Sequence, residues 1–400
     1  MKKFVNVVRR EICRFNYIKK LKSLRNSNKV IKVLFYVSEN SKWTYQSLYE
    51  EFEKDEKFEP LVVVGVLIDV HRGRDNTRNN LEINYDFFKS RGMNVDYAYK
   101  EGNYIDLKVF NPDIIFYEQP WGLPKIYKPT NTSKYALTCY CSYAFDVVES
   151  SDHYKENFQA FLWKNFLVSE ISKERYAKYD SYSKKNCVVT GYPKLDVYFE
   201  LKECNDVKYW KDSEKIKIIY APHHSFTGLK MATFKENGQL ILNLAKNHPE
   251  TTWIFKPHPQ LKHALYQNNI MASEEIEAYF SEWEKIGNVC MTGGYFDIFK
   301  SSDMMITDCG SFLAEYLPTE KPLIRPVNPE TVELNLHAQK IVEGYYNTYS
   351  NDELIKIFNQ LLSGEDEKLE HIRNILAEAL DFNEKSSVKI LNLLKGEFND

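Results

Sequence analysis

The chain has 400 residues, a formal net charge of -3 and a hydrophobic fraction of 43%, values typical of a globular protein too long for one ordinary core, so two domains are expected. The balanced charge excludes the strongly basic class of nucleic-acid-binding proteins, and no run reaches the ~20 apolar residues that span a bilayer. The N-terminus lacks the uninterrupted apolar stretch of a signal peptide, and the odd number of cysteines without a CxxC pair predicts neither a disulfide framework nor a zinc site. We therefore expect a protein of the reducing cytoplasm.

Residues 1–28 form a basic segment with an amphipathic pattern. Lysines and arginines between Lys2 and Arg25 are opposed by one carboxylate, Glu11, and apolar residues recur among them at helical spacing. A helix of this kind can lie on an anionic membrane face, which predicts peripheral attachment to the inner side of the cell membrane. The alternatives are a basic helix that packs on its own domain and a disordered tail.

Residues 29–205 alternate between apolar runs and amphipathic stretches, the pattern of an α/β domain. Strands are expected at 30–39, 61–68, 95–99, 113–117, 135–141, 166–169 and 187–189, and helices at 44–54 and 81–91. Ligands of such sheets bind where the strands end, so polar residues at these positions are candidate site residues. They are His71, Arg72, Arg74, Glu118, Tyr140 and Ser142. The alternatives are an exposed basic loop for the first three and a helix cap for Glu118.

A polar run at 203–215 predicts a linker, after which a second α/β series begins. Strands are expected at 216–220, 253–256, 288–291, 304–307 and 322–325, and helices at 238–247, at 274–286 and from about Ser311. Further helices are expected at 353–362, 367–380 and 385–394. The predicted organisation is therefore a basic helix (1–28), two doubly wound Rossmann-like domains (29–205 and 206–350) facing a cleft, and C-terminal helices (351–400) that cross back to the first domain.

Three strand ends of the second half carry unusual residues: APHHS at 221–225, KPHP at 256–259 and TDCGS at 307–311. Because the ends of parallel strands meet at one edge of a sheet, these runs should converge on one pocket. Imidazole, ammonium and backbone N–H groups at a helix start suit a pyrophosphate. The candidate residues are His223, His224, Ser225, Lys256, His258, Thr307, Asp308, Gly310, Ser311 and Glu315. We expect Glu315 to accept hydrogen bonds from a ribose, and the alternative is a helix N-cap at Ser311 with Glu315 solvated.

A metal site is the alternative for the three histidines of these runs. The sequence has no HxxxH or HxH spacing here, and Asp308 is the one obvious carboxylate nearby. We therefore expect no metal and no cofactor.

Together with TGYPKLD at 190–196, the runs YAPHHS, FKPHP and SDMMITDCGSFLAEYLPTEKP resemble the CDP-glycerol glycerophosphotransferase family, which makes teichoic-acid-like and capsular polymers. The resemblance is strong over residues 187–326 and weak before Tyr117. It implies a GT-B fold that holds a nucleotide in the C-terminal domain and an acceptor in the N-terminal domain, with monotopic association at the inner membrane face. It also implies that His258 contacts the donor pyrophosphate, that Ser311 is the hydroxyl residue at the helix start, and that Glu315 or Asp308 is an acidic site residue.

The sequence departs from the family in two places. A His-Gly pair that serves as candidate base follows the middle strand in the family, whereas Tyr140-Cys141-Ser142-Tyr143 stands here. The arginine of an APxWR motif is replaced by His224 or Ser225. These differences leave the base unassigned among Glu118, His71 and an unidentified residue, and they leave the transferred group of the donor open.

The first interpretation is a transferase that moves glycerol or ribitol phosphate from a CDP-alditol to a hydroxyl of a glycan or lipid-linked glycan and releases CMP. Its catalytic candidates are His258, His223, Glu118 and His71, and Arg72, Arg74, Tyr140 and Ser142 would contact the acceptor. The second interpretation is a GT-B glycosyltransferase that uses a nucleotide sugar. The third is a non-catalytic nucleotide-binding scaffold of capsule assembly, which the missing His-Gly pair favours.

Overall fold

The computed structural model describes residues 2–68, 76–149, 158–179, 185–201, 209–291 and 294–399. The chain divides into two compact units. The first unit comprises Met1–Ala144, Ser150–Asp196 and Asp381–Asp400, and the second comprises Phe145–Glu149 and Val197–Leu380.

A seven-stranded parallel sheet with the order β3-β2-β1-β6-β7-β8-β9 forms the centre of the first unit. Its strands are β1 (Ile31–Val37), β2 (Phe58–Val64), β3 (Val95–Tyr97), β6 (Ile114–Tyr117), β7 (Leu137–Cys141), β8 (Lys164–Leu167) and β9 (Cys187–Val189), and a small antiparallel pair joins β4 (Tyr99–Lys100) to β5 (Asn103–Tyr104). The continuous apolar runs of β1 and β6 are buried on both faces, as parallel strands covered by helices require.

Helices of the first unit are α1 (Lys2–Arg25), α2 (Gln46–Lys54), α3 (Asn76–Lys89), α4 (Pro129–Thr132) and α5 (Glu170–Tyr179). Helix α1 is bound to the unit by polar contacts. Tyr17 Oη contacts Thr138 Oγ1 at 2.6 Å, and Lys20 Nζ donates to the buried carboxylate of Asp113 at 2.7 Å. Although burial alone would raise it, the hydrogen bonds from Lys20 and Lys29 leave the pKa of Asp113 below its usual value. The sequence alternative of a disordered tail is therefore wrong for Lys2–Arg25, which is helical and anchored.

A six-stranded parallel sheet with the order β12-β11-β10-β13-β14-β15 forms the centre of the second unit. Its strands are β10 (Ile216–Ala221), β11 (Thr251–Phe255), β12 (Asn288–Val289), β13 (Met304–Thr307), β14 (Leu323–Pro326) and β15 (Tyr346–Thr348). Its helices are α6 (Val197–Glu200), α7 (Phe234–Asn247), α8 (Leu261–Gln267), α9 (Ser273–Ile286), α10 (Phe296–Ser301), α11 (Gly310–Tyr316), α12 (Leu336–Val342), α13 (Asn351–Leu362) and α14 (Leu369–Leu380). Stacked rings of Phe255 and Trp283 hold α9 on β11.

The prediction of two doubly wound parallel sheets is confirmed. The units divide the chain at Asp196 rather than after residue 205. Of the C-terminal helices, α13 and α14 belong to the second unit, and the last helix, α15 (Ser386–Asn399), belongs to the first. Helix α15 packs Ile390, Leu394 and Phe398 into the core of the first unit.

Candidate functional site

Three neighbouring strands of the second unit end at the same edge of its sheet. Strands β11, β10 and β13 are adjacent and parallel, so the loops that follow them leave together. The N–H of His258 donates to the carbonyl of Pro222 at 3.0 Å, and the N–H of His223 donates to Asp308 Oδ1 at 2.6 Å. These two bonds tie the three loops into one cluster, in which the polar runs of the sequence lie side by side.

Asp308 holds this cluster together. Its carboxylate is 4% exposed, and besides His223 it accepts hydrogen bonds from Thr233 N at 2.6 Å and Thr233 Oγ1 at 2.8 Å. Burial raises the pKa of Asp308, although these donors act against the rise. The neighbouring Thr307 uses its hydroxyl to bond the carbonyl of Ala221 at 2.6 Å. Both side chains therefore stabilise the loops, and their contact with a nucleotide-linked donor substrate stays a prediction.

The three imidazoles of the cluster are in mutual contact. Ring centroids lie 3.8 Å apart for His224 and His258, 4.5 Å for His223 and His224, and 5.4 Å for His223 and His258. Burial lowers the pKa of His223 to about 3 and that of His258 to about 4, and it also lowers the pKa of His224. The rings of His223 and His258 are therefore neutral at pH 7.

Backbone amides decide which nitrogen of two rings carries the proton. The N–H of Ser225 donates to His223 Nδ1 at 3.2 Å, and Ser225 Oγ lies 2.8 Å from the same atom. The N–H of Gln260 donates to His258 Nδ1 at 3.1 Å. A neutral imidazole whose Nδ1 accepts must carry its proton on Nε2. Both rings therefore present an Nε2–H donor.

This arrangement suits an anion better than a metal ion. One nitrogen from each of the three rings lies within 4.8 Å of the others, which is close enough to share an ion. A metal ligand needs a lone pair, however, and the Nδ1 lone pairs of His223 and His258 are already used while Nε2 carries hydrogen. Two fixed N–H donors side by side match the oxygens of a phosphate.

Lys256 adds an amine to the same edge. It is 7% exposed, and its Nζ lies 5.0 Å from the ring centre of Tyr295 and 5.9 Å from that of Phe312. Burial lowers the pKa of Lys256, while the neighbouring acidic groups, including Glu315, raise it. The aromatic rings thus position this amine within the cluster.

Helix α11 begins one residue earlier than the sequence suggested, with Cys309 rather than Ser311 as its N-cap. A Cβ on Gly310 would lie 2.5 Å from Val147 Cγ2 and 3.1 Å from Met231 Cε, so the backbone approach at this point requires glycine. Ser311 lies half-buried in the first turn.

Glu315 is fully buried and accepts a hydrogen bond from the Tyr295 hydroxyl, so the alternative of a solvated helix residue is wrong. A ribose contact of Glu315 stays a prediction.

Within the first unit, Glu118 directly follows β6 and has 1% of its surface exposed. Its carboxylate accepts from Ser38 Oγ at 2.6 Å, from Ser38 N at 3.0 Å and from Glu39 N at 3.3 Å. Burial raises the pKa of Glu118 to about 7 in spite of these donors and of nearby Lys42. A carboxyl with that pKa can exchange a proton near neutral pH, as a general base must.

The remaining candidates of the first unit are less informative. Tyr140 is buried against Phe158 in the apolar core, and Ser142 donates to the carbonyl of Ala144 at 2.6 Å. His71, Arg72 and Arg74 lie outside the described residues. Their predicted contacts with an acceptor stay predictions.

Sequence reasoning overlooked residues that the structure brings to the cluster of the second unit. Thr233 clamps Asp308, and Tyr295 and Phe312 flank Lys256. Arg325 is buried in β14, where its Nη1 donates to Asn347 Oδ1 at 3.1 Å and the charge of Asp308 acts on it. An arginine inside the apolar run PLIRP was a visible signal for Arg325, whereas Thr233 had none.

Part of the sequence is similar to two polymerases. The teichoic acid ribitol-phosphate polymerases TarK and TarL of Staphylococcus aureus (strain NCTC 8325 / PS 47) are 27% and 26% identical to it over 170 residues. The matched stretch is 40% of this chain but 31% of TarK and 28% of TarL. The chain thus matches less than a third of the length of these relatives.

Solved structures share the fold. A UDP-GlcNAc 2-epimerase from Neisseria meningitidis bound to UDP-GlcNAc matches with a TM-score of 0.60 and 15% identity over 91% of this chain and 100% of its own. The S. aureus MnaA–UDP structure matches with a TM-score of 0.58 and 14% identity over 92% of this chain and 97% of its own. A glycosyltransferase from Rickettsia africae ESF-5 matches with a TM-score of 0.53 and 13% identity over 94% of this chain and 100% of its own. At such identities the likeness concerns the fold alone, and the predicted GT-B-like class is confirmed.

The family comparison covers more than half of the chain. The sequence model of the family described as "CDP-Glycerol:Poly(glycerophosphate) glycerophosphotransferase" matches residues 148–394, which include all three loops of the histidine cluster. The chain therefore belongs to the CDP-glycerol:poly(glycerophosphate) glycerophosphotransferase family.

Proposed function

We propose that this protein transfers an alditol phosphate, glycerol or ribitol phosphate, from a CDP-alditol to a hydroxyl of a cell-surface glycan and releases CMP. Family membership supports the reaction type, and the names of the two polymerase relatives support ribitol phosphate as one possible transferred group. The observation that carries the proposal is the pair of fixed Nε2–H donors on His223 and His258 beside Lys256.

The donor pyrophosphate fits this cluster chemically. A CDP-alditol carries two linked phosphates whose oxygens accept hydrogen bonds, and neutral imidazole donors with a neighbouring amine match them. Because the donors are fixed before the reaction, they stabilise charge that develops on the leaving CMP without reorganisation. His224, Ser225, Gly310, Ser311 and Glu315 remain the further candidates for donor contact.

The reaction balances without a cofactor. The acceptor oxygen attacks the phosphorus next to the alditol, a new P–O bond forms, and the P–O bond to CMP breaks. CMP leaves with the electron pair of that bond. A base must take the hydroxyl proton, and Glu118 is our candidate because its pKa of about 7 suits this transfer.

We also propose that the protein rests on the inner membrane surface through α1. The helix buries Cys13, Tyr17 and Leu24 in its own unit and exposes apolar side chains on its other face. These are Val8, Ile12, Phe15 and Ile18, of which Phe15 is 68% exposed. Lys19 and Lys22 stand among them, which suits contact with anionic lipid. Among the helices that the structure describes, none is long and apolar enough to cross a bilayer.

Release of CMP tests the transfer. Purified protein is incubated with a glycan acceptor and CDP-glycerol, CDP-ribitol or a UDP-sugar, and CMP and product mass are measured. We expect CMP and a product heavier by one alditol phosphate. We also expect His258→Ala to lose about 100-fold in rate, as removal of a fixed transition-state donor does. His263→Ala, which changes an exposed histidine of α8, is the matched control.

Two outcomes would overturn the proposal. A product heavier by an unphosphorylated sugar would assign a GT-B glycosyltransferase, the second interpretation of the sequence. Absence of turnover with every donor, combined with binding of a nucleotide, would assign a non-catalytic scaffold. Binding is read from a thermal shift, because a ligand that binds only the native state raises the melting temperature.

A further inference from the structure

A cavity of about 250 Å³ lies beside α1 in the first unit. One wall of the cavity is α1 and another is the segment around Trp163. Lys185 and Glu397 also line the cavity. The volume is below the ~300–1,000 Å³ typical of pockets that enclose a whole small molecule. A group the size of a phosphate ester fits it.

The lining that the structure describes is strongly basic. The charged side chains around the cavity are Arg10, Arg14, Lys164, Lys185 and Glu397. Glu397, the carboxylate of this lining, is neutralised, since it lies 2.6 Å from Lys164 Nζ and 3.7 Å from Arg25 Nη2. Glu11, next to the lining, binds one guanidinium nitrogen of Arg14 at 3.0 Å and leaves the other nitrogens of that group for a ligand. Guanidinium groups match the oxygens of a phosphate in pairs, so the cavity suits a phosphate anion.

The position of the cavity indicates where the phosphate would come from. Ile18 lines the cavity and is 65% exposed, so the cavity adjoins the apolar face of α1 that also carries Phe15. A free anion needs no apolar neighbour. A lipid needs both parts, because its head group carries the phosphate and its chains require an apolar surface.

We propose that this cavity binds the phosphate head group of a membrane lipid while the lipid chains lie along Ile18 and Phe15. The inference rests on the membrane contact proposed above for α1. It adds a defined binding site to a contact that would otherwise depend on surface charge alone. Through it, the first unit would be held in a fixed orientation on the membrane.

Vesicle flotation of the full chain tests the site. One set of vesicles contains the uncharged glycolipid digalactosyldiacylglycerol with phosphatidylglycerol, and a second contains the same glycolipid with oleate at the same surface charge, so that only the first set carries phosphate. The variant Arg14→Gln/Lys185→Gln removes two cations of the cavity. Its matched control, Lys19→Gln/Lys22→Gln, removes two cations of α1 outside the cavity.

On phosphatidylglycerol we expect the cavity variant to lose about tenfold more binding than the control variant, because it loses a specific contact besides surface attraction. On oleate we expect the two variants to lose equally. Equal losses on both kinds of vesicle would overturn the head-group site. If the two variants float equally on both kinds of vesicle while soluble glycerol phosphate raises the melting temperature of the control variant and not that of the cavity variant, the cavity binds a phosphate ester of the cytosol rather than a lipid.

These outcomes are independent of the transfer reaction. CMP release is measured in solution, and neither Arg14 nor Lys185 belongs to the histidine cluster. The cavity variant should therefore keep its rate with soluble substrates whether or not it loses vesicle binding. A protein that fails to float with any vesicle overturns both the membrane contact and the head-group site and leaves the transfer proposal intact.

Discussion

A neutral imidazole donates one hydrogen bond, so the nitrogen that carries the proton decides what a histidine can bind. In this protein that choice is made by the backbone N–H groups of Ser225 and Gln260, each two residues after the ring it contacts. The same burial that keeps the rings of His223 and His258 neutral lowers the stability of the folded protein at acidic pH. The state of the cluster can therefore be detected by measuring stability.

We expect the free energy of unfolding to fall as the pH drops from about 6.5 towards 4. In the unfolded chain a histidine takes a proton near its usual pKa of 6.5, whereas in the folded protein His223 and His258 stay neutral down to about 3 and 4. The unfolded state therefore binds more protons in this window, and stability decreases with decreasing pH. Melting temperatures of wild type and His223→Gln/His258→Gln across this range provide the measurement. The variant should lose less than wild type, and parallel curves would contradict the assignment.

The ionisation of Glu118 should control how turnover depends on pH. If it is the base, it must be ionised, so turnover should rise with pH through about 7, the pKa that burial gives this carboxyl. Glu118→Gln should lower kcat about 10²–10⁴-fold, the usual contribution of a general base, and should remove this pH dependence. Donor affinity should stay unchanged.

The control for that experiment is Glu53→Gln, which neutralises an exposed carboxylate of α2. Its pH profile should follow wild type. A Glu118→Gln variant that turns over at the wild-type rate would assign the base to another residue, and His71 is then the candidate.

At the scale of elements, the parallel sheets were predictable because continuous apolar runs such as Val33–Val37 alternate with amphipathic helices. Most of the overlooked elements are short, except the ten-residue helix α5, whose sequence EISKERYAKY has few apolar residues and no clear amphipathic pattern. Strand β15 has three residues and α10 has six, too few for a periodic pattern. The convergence of the three polar loops was also predictable, since the carboxyl ends of parallel strands share an edge. The tautomers and the Thr233 clamp were not, because they depend on backbone positions that only the packed loops define.

The start of α11 offers a test of how closely the loops are packed. A methyl group at Gly310 would lie 2.5 Å from Val147 Cγ2 and 3.1 Å from Met231 Cε, closer than van der Waals contact, so Gly310→Ala should destabilise the protein by about 1–3 kcal/mol, as overpacking does. Nucleotide affinity should fall with it, because α11 must shift. Gly396→Ala, in helix α15 where nothing lies within 4 Å, should instead stabilise by about 0.5–1 kcal/mol. Denaturant unfolding measures both, and equal effects would contradict the packing argument.

At the scale of the whole molecule, the chain leaves the first unit at Asp196 and re-enters it at Asp381. One side chain joins these distant parts. The buried carboxylate of Asp196 accepts hydrogen bonds from Ser386 N and Ser387 N, each at 2.7 Å, and thereby caps the start of α15. The same interaction satisfies two N–H groups that the helix cannot bond itself.

Asp196→Ala should therefore loosen the first unit selectively. Loss of two buried hydrogen bonds from a helix start costs about 1–3 kcal/mol, and α15 carries Ile390, Leu394 and Phe398 into the first core. Hydrogen exchange followed by peptide mass analysis distinguishes the units. Amides of β1, β2 and α2 should exchange faster in the variant, while those of β10 and β13 keep their wild-type rates, because the second unit has its own core. Equal acceleration in both units would mean that the two cores open together and that the Asp196 cap does not act on the first unit alone.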